Sequence, residues 1–408
     1  VGISRAHESA HLHVAGEATY TDDIRELDGT LHAALGLSPV AHGRLLAIDL
    51  ARLRAEPGVV AVFSAADIPG PNDCAPIVKG DDPILAQGEV HYLGQPMFAV
   101  IAADRRVARC VAARAKEFVT IEPLPALLTA RQAHAAKAYV VPPMHLARGD
   151  ARAALDAAPH RFEDSLSVGG QEQFYLEGQI SYAVPLEDDG MLVHCSTQHP
   201  TEMQHLVAHA LDLHANQVQV QCRRMGGGFG GKESQSALFA CVAALAAKQL
   251  NRPVKLRLDR DDDFMVTGRR HGFEFDFEVG YDDAGRVLGV EIDLIANAGF
   301  SADLSPPVMT RAICHFDNAY WLPHVSMHGY CARTHTQSNT AFRGFGGPQG
   351  AIAIEFILDS IARRLGKDPL DVRRANYYGI TSNNITPYLQ TVEDNIIEPL
   401  TKQLVQTS

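Results

Sequence analysis

Eleven residues, Arg223-Arg224-Met225-Gly226-Gly227-Gly228-Phe229-Gly230-Gly231-Lys232-Glu233, limit what this chain can become more than any other segment, because five of them are glycine. They join a strand-like run, Val218 to Cys222, to a strongly helical run, Ser236 to Leu250. A strand, a glycine-rich turn and a helix leave backbone N–H groups unshielded at a helix N-terminus, where the dipole favours negative charge. Glycine suits such a turn because a ligand has to touch the backbone and the chain has to enter φ > 0 without a Cβ penalty. The expected occupant is anionic or carries oxo groups.

A nucleoside-triphosphate loop is one alternative, since Gly226 to Lys232 fits G-x-x-x-x-G-K. Glu233 argues against it: it stands where Ser or Thr must hold Mg²⁺, and a carboxylate there repels a phosphate. A tight packing turn is a second alternative, but such a turn needs one or two glycines and not five. A second loop, Asn339-Thr340-Ala341-Phe342-Arg343-Gly344-Phe345-Gly346-Gly347-Pro348-Gln349, also runs into a helix, with Pro348 suited to a first helical turn. Two loops of aromatic rings and glycine point to one flat ligand. His205, His209 and His214 invite a zinc reading, but the glutamate of H-E-x-x-H is missing and Leu206 takes its place, so solvated histidines are expected. Asp259, Asp261, Asp262 and Asp263, with Arg257, Arg260, Arg269 and Arg270, read as a solvated ion-pair surface.

Bulk properties narrow the class. At 408 residues the expectation is two or three domains, and 46% hydrophobic with 21% charged residues is ordinary for a globular protein. A net charge of −12 disfavours nucleic acid and anionic membranes as partners, and no stretch reaches the ~18 apolar residues of a membrane span. The start, Val1-Gly2-Ile3-Ser4-Arg5, has no signal-type apolar region. Seven scattered cysteines without a C-x-x-C suit neither zinc nor an iron–sulfur cluster, and are expected as reduced thiols in a cytoplasmic protein.

Pattern and punctuation predict a mixed α+β chain. Residues 1–130 form one unit, with strands at Leu31–Leu37, Val59–Phe63 and Met97–Ala102 and a helix over Arg105–Glu117. Residues 131–159, rich in Ala, Pro and His with weak periodicity, are expected as a linker. Residues 160–378 form a larger unit with strands near Gln179–Val184, Leu192–Ser196, Phe273–Val279 and Val287–Ala296. Its helices are expected near Thr201–Leu211 and Gly350–Leu365. Residues 379–408 end in an amphipathic helix carrying Ile396, Ile397, Leu400 and Leu404, which reads as the first element of a further domain.

With both loops placed, the chain resembles the molybdenum-binding subunit of the xanthine dehydrogenase and aldehyde oxidase family. The resemblance runs almost end to end, through Gly16-Glu17-Ala18-Thr19-Tyr20-Thr21-Asp22-Asp23-Ile24, Gly94-Gln95-Pro96, Gly169 to Glu177 and Ser196-Thr197-Gln198-His199-Pro200. It implies an N-terminal α/β hammerhead domain, then the first of two molybdopterin-binding domains. It also implies a molybdenum–molybdopterin cofactor with oxo and sulfido ligands and no direct protein ligand to the metal. By motif position, Gln198 donates its amide toward the metal centre, and Gly228, Phe229 and Gly230 offer backbone N–H groups. Arg343, with Ala341 and Phe342 beside it, holds the cofactor from the other side.

The same resemblance makes Glu233 and Arg311 the substrate-reading and catalytic pair, with Phe345 packing on the substrate ring. Purine hydroxylases carry an acid and a base at these positions, where aldehyde oxidases are apolar. A carboxylate and a guanidinium pair with a heterocycle edge but are costly in an apolar pocket. Arg311 also offsets negative charge growing on a purine carbonyl. Structural pairing of Glu233 with Arg311 is the plainer alternative. The implied reaction is hydroxylation of hypoxanthine and xanthine to urate with water as oxygen source. Electrons pass to 2Fe–2S and FAD on a partner subunit, for which this chain has no motif. Hydroxylation of another N-heterocycle such as nicotinate, oxidation of an aldehyde, and an inactive cofactor-binding half are the alternatives. The family's glutamate base belongs to the second molybdopterin-binding domain, of which only the first helix is expected here. The chain alone is therefore expected to be inactive, and to work as part of a hetero-oligomer.

Overall fold

A computed structural model describes residues 2–407, and the chain divides into two compact units that do not follow sequence order. The first runs to Pro125 and resumes over Gln173–Gly268; the second takes Ala126–Glu172 and the chain from Arg269 onward.

The first unit is built on a seven-stranded sheet. Its strand order is Val218–Gln221, Met191–Cys195, Ile180–Pro185, Val254–Arg257, Leu31–Leu37, Pro96–Ala102 and Val59–Ser64. Pro96–Ala102 is buried along its whole length, as a strand covered on both faces must be. The joint between early and late sequence is the parallel pairing of Leu31 with Val254 and Ala33 with Leu256. Strands at 180–257 thus complete the sheet begun near residue 31, instead of forming a sheet with those at 273–299. Alternation of side chains shows that a segment is a strand but says nothing of its partner. A smaller sheet, Glu89–Val90, Gly43–Ile48 and Val119–Pro123, lies in the same unit. The helix after the first glycine loop, Ala237–Leu250, is buried from Ala237 through Ala247, and its many alanines let it sit close to the helix Pro200–Ala210 and the strand Ile180–Pro185.

The second unit carries a five-stranded sheet ordered Met144–Arg148, Val325–Arg333, Val287–Gly299, Phe273–Tyr281 and His160–Val168. The stretch 131–159, expected as a linker, contributes the first of these strands and a helix, Ala151–Ala157, capped by the Asp150 carboxylate on the Ala153 N–H. Its weak hydrophobic signal has a steric origin. The helix lies so close to the sheet that a Cβ on Gly280 would meet Ala158 Cβ at 2.7 Å, and one on Gly289 would meet Ala154 Cβ at 2.9 Å. Alanine is what such an approach permits. The tail forms the helix Ile397–Thr407, with Ile396, Leu400 and Leu404 more than half exposed. Among the described residues no helix is long and apolar enough to cross a membrane.

Candidate functional site

In the first unit the loop 223–233 is pinned from below by an ion pair that the sequence reading did not single out. Lys232 is fully buried, and its Nζ donates to the Glu177 carbonyl at 2.6 Å and the Ser196 hydroxyl at 2.8 Å, 3.7 Å from the Glu177 carboxylate. The Glu177 carboxylate accepts from Ser196 Oγ at 2.6 Å, Gly226 N–H at 2.9 Å and Thr21 N–H at 3.0 Å. Burial pushes the Lys232 ammonium below its ordinary value, and the carboxylate and the face of the Tyr175 ring, 4.6 Å away, counter that. Tyr175 in turn donates to Asp263, which is 2% exposed and whose carboxyl burial pushes up. The lysine that resembles a triphosphate-loop residue therefore points into the core and serves the loop's own scaffold.

Above this scaffold the loop presents donors. Gln198 Oε1 accepts from the N–H of Gly230 at 2.8 Å and of Lys232 at 3.3 Å, so the amide orientation is fixed. Its Nε2 makes no hydrogen bond among the described residues. The N–H groups of Gly227, Gly228 and Phe229 make none either, although Gly228 is buried. Buried backbone donors are nearly always satisfied, so the unpaired N–H of buried Gly228 points to a ligand, and the N–H groups of partly exposed Gly227 and exposed Phe229 lie beside it in the same loop. Glycine is required here: a Cβ on Gly228 would lie 2.6 Å from Gln198 Oε1, and one on Gly226 would lie 2.5 Å from Glu177 Cβ. Phe229 holds φ 52 while 48% exposed, a conformation that costs a bulky residue on the order of 1–3 kcal/mol. Beside the loop runs a groove of about 690 Å³ bordered by Phe174, Leu176, Met225 and Phe229.

Glu233 closes the loop, half buried, with no ion pair or side-chain hydrogen bond within its unit. Burial raises its carboxyl above the usual range; His199 pulls the other way and Glu202 adds to the rise.

The second unit holds the other glycine loop. Phe345 sits at φ 51 between Gly344 and Gly346, both at positive φ. A Cβ on Gly346 would meet the Val308 carbonyl at 2.1 Å, and one on Gly350 the Ala312 carbonyl at 2.2 Å. The loop and its helix, Gly347–Leu365, thus rest backbone to backbone on the helix Ser305–Cys314, which carries Arg311. Arg311 is exposed, with Nε 3.3 Å from His315 Nε2. His315 is pushed down by burial and then by Arg311, which keeps it neutral and able to accept. Ala341 is buried, Phe342 half-buried and Arg343 exposed. Arg270, 8% exposed, stacks on Phe342 at 4.0 Å and donates to the Arg343 carbonyl at 2.8 Å. Neighbouring His271 is fully buried, with its pKa pushed down to about 3.

The sequence residues therefore fall into two sets. Gln198, Gly228, Phe229, Gly230 and Glu233 share the first unit, and Arg311, Ala341, Phe342, Arg343 and Phe345 share the second. His205, His209 and His214 are exposed, as expected of solvated histidines. The charged run of 257–270 is not the uniform solvated surface that its composition suggests, because Asp263 and Arg270 are buried. The available signal was spacing: Arg260, Asp263 and Thr267 fall on one helical face, and Asp263 accepts from the Thr267 hydroxyl at 2.8 Å.

A family model described as a molybdopterin cofactor-binding domain matches residues 132–377, and one described as the aldehyde oxidase and xanthine dehydrogenase a/b hammerhead domain matches residues 15–122. These carry the molybdopterin-binding class of fold. The chain belongs to the xanthine dehydrogenase and aldehyde oxidase family, as its relatives also show. It is 41% identical over 411 residues to a xanthine dehydrogenase of Calliphora vicina, covering 100% of this chain and 30% of that protein. It is 38% identical to the nicotinate hydroxylase hnxS of Emericella nidulans, again covering 100% of this chain and 30% of the relative. The structure of an aldehyde oxidoreductase from Desulfovibrio gigas superposes with a TM-score of 0.89 at 26% identity, covering 98% of this chain and 46% of that one. The chain spans about 30% of the length of the curated relatives it matches. Its two compact units cross the boundary between the two family models, since the sheet of the first unit draws strands from both.

The first loop fits a molybdopterin centre on its own chemistry. It offers amide and backbone donors suited to oxo and sulfido groups, and no metal-ligating cluster lies at either loop among the described residues.

One prediction concerns the scaffold. Lys232→Met keeps most of the stem's volume but removes the charge and both hydrogen bonds, while Glu177 keeps its other donors. The expected loss is about 2–3 kcal/mol in urea denaturation. An unchanged midpoint would show that the buried charge does not hold the loop.

Proposed function

We propose that this chain is the substrate-reading part of a molybdenum hydroxylase that converts hypoxanthine and xanthine to urate with oxygen from water. One observation carries the reading: unpaired N–H groups of Gly227 to Phe229, and the unused Gln198 amide, end at a half-buried carboxyl without an ion pair in its unit. The donors suit the oxygen and sulfur atoms of a molybdopterin centre, and the carboxyl suits a nitrogen edge of a purine.

When bound, the molybdenum–pterin group supplies two-electron chemistry and oxygen transfer from water. Gln198 Nε2 and the N–H groups of Gly227, Gly228 and Phe229 hold it from the first loop; the Gly230 N–H, expected from the sequence to share in this, is already spent on Gln198 Oε1 and instead orients that amide. Arg343, with Ala341 and Phe342, holds it from the second. Glu233 accepts from a ring N–H, or donates to a ring nitrogen when protonated. Arg311, its Nε against neutral His315, directs its remaining donors at a purine carbonyl and stabilises the negative charge that grows there. Phe345 packs against the ring. The 2Fe–2S clusters, FAD and a general-base carboxylate are assigned to partner domains or subunits in the cytoplasm.

A second reading, nicotinate hydroxylation, has its own support in the 38% identity to the Emericella nidulans enzyme, close to the 41% of the Calliphora vicina one. Anaerobic reduction of the holo-protein decides between them. Xanthine is expected to bleach the iron–sulfur and flavin absorbance, with ¹⁸O from labelled water appearing in urate. Bleaching by nicotinate or an aldehyde but not xanthine would overturn the purine assignment.

A further inference from the structure

We propose that the small sheet of the first unit carries a divalent-cation site of zinc type, formed by His42, Glu89 and His91. The strands Gly43–Ile48 and Glu89–Val90 are antiparallel, with Gly43 opposite Val90 and Arg44 opposite Glu89. One step further in that register, His42 faces His91 directly. Glu89, two residues before His91, shares its side of the strand. The sheet therefore brings two imidazoles and a carboxylate together from residues 47 to 49 positions apart. Their nitrogen and oxygen atoms all lie within 4.8 Å of one another, and this is the one such group among the described residues. The two rings are near-parallel, with centroids 6.4 Å apart and planes at 22°.

The orientation of His42 is the second observation. Its Nδ1 lies 2.6 Å from the Pro125 carbonyl, which can only accept, so Nδ1 carries the hydrogen. Its Nε2 then turns to Glu89 Oε1 at 2.7 Å, an acceptor as well. An imidazole with acceptors at both nitrogens needs a positive species between Nε2 and the carboxylate, either a proton or a metal ion. A carbonyl on the far nitrogen is also how metal-binding histidines are commonly held, since it fixes the tautomer and aims the other lone pair. His91 Nδ1 stands 3.7 Å from the same Glu89 oxygen, and the His91 N–H donates to Gln95 Oε1 at 2.6 Å, which anchors its backbone.

Two nitrogens and one carboxylate oxygen match the borderline ligand preference of zinc, leaving one position for water. The His42 side chain is 15% exposed, while those of Glu89 and His91 are 43% and 37% exposed, so water reaches that position. For tetrahedral bonds the 2.7 Å gap between His42 and Glu89 has to open by roughly half an ångström, within reach of a carboxylate rotation. The site belongs to the hammerhead region and is independent of the glycine loops and of the proposed hydroxylation.

The test uses the intact holo-protein with zinc alone as the probe. Samples stripped with EDTA are equilibrated with zinc and dialysed, and retained zinc is measured by elemental analysis separately from molybdenum and iron. A Cys110→Ser background removes the exposed thiol as a competing ligand. The expected result is one further zinc per chain, bound about ten- to a hundredfold more weakly in His91→Asn and in Glu89→Gln. Both changes lie at partly exposed side chains, and circular dichroism confirms that the variants fold. No retained zinc would mean that a proton alone bridges His42 and Glu89. Zinc retained equally in both variants would place it elsewhere. Either outcome overturns the site.

Discussion

Glu233→Gln is expected to lower kcat/KM for xanthine by about 10²–10³-fold while leaving molybdenum content unchanged. Loss of one preorganised polar contact to a reacting group costs a factor of this size. Glutamine keeps the shape of the side chain but turns one acceptor oxygen into a donor, so a ring N–H loses its partner. The carboxyl has no other partner in its unit whose loss could explain the defect, which ties the effect to substrate. Its pH signature is separate. Burial raises the carboxyl, so the acidic limb governed by Glu233 lies above the ordinary carboxylate range. That limb is expected to vanish in the variant. Steady-state profiles over pH with xanthine check both points. An unchanged kcat/KM for xanthine would remove Glu233 from the substrate site.

Gly346→Ala is expected to destabilise the second unit by more than about 4 kcal/mol, enough to stop most of the chain from folding. Two costs add. The residue holds φ 97, where a Cβ is strained by on the order of 1–3 kcal/mol. The new methyl would also lie 2.1 Å from the Val308 carbonyl and 2.9 Å from the Ala312 nitrogen, both backbone atoms of a packed helix that cannot rotate away. Relief would push the second loop off the helix that carries Arg311, moving Phe345 and Arg343 with it. Gly347→Ala is the matched control, because its Cβ would meet nothing nearer than His315 Cδ2 at 3.7 Å. It is expected to fold with stability unchanged or raised by several tenths of a kcal/mol. Chemical denaturation of the two variants side by side measures the difference. Equal midpoints would show that the close approach is not needed.

Much of the chemistry was legible in residue order. The two glycine loops, the helices after them and the run into Glu233 are local patterns, and local patterns survive in sequence. So were the strands expected at Leu31–Leu37 and Met97–Ala102, the second of which the structure extends by one residue to Pro96. Lys232 was not legible, because G-x-x-x-x-G-K is shared by loops that use the lysine on a ligand and by this one, which uses it on Glu177. Asp263 and Arg270 were hidden in a charged run whose composition is that of a surface. The stretch 131–159 looked like a linker because alanine against glycine is a packing solution with no hydrophobic periodicity.

The sequence by itself determined the family, the α+β class, the cofactor class and the residues that border the loops, since each rests on short segments whose backbone needs are set by their own glycines. Only the tertiary structure decided which strands share a sheet and how the units are cut, because hydrogen-bond partners are chosen by segments more than a hundred residues apart. It also decided which charges are buried. Whether a lysine or aspartate faces water or a partner depends on what the rest of the chain lays over it, and no local pattern carries that.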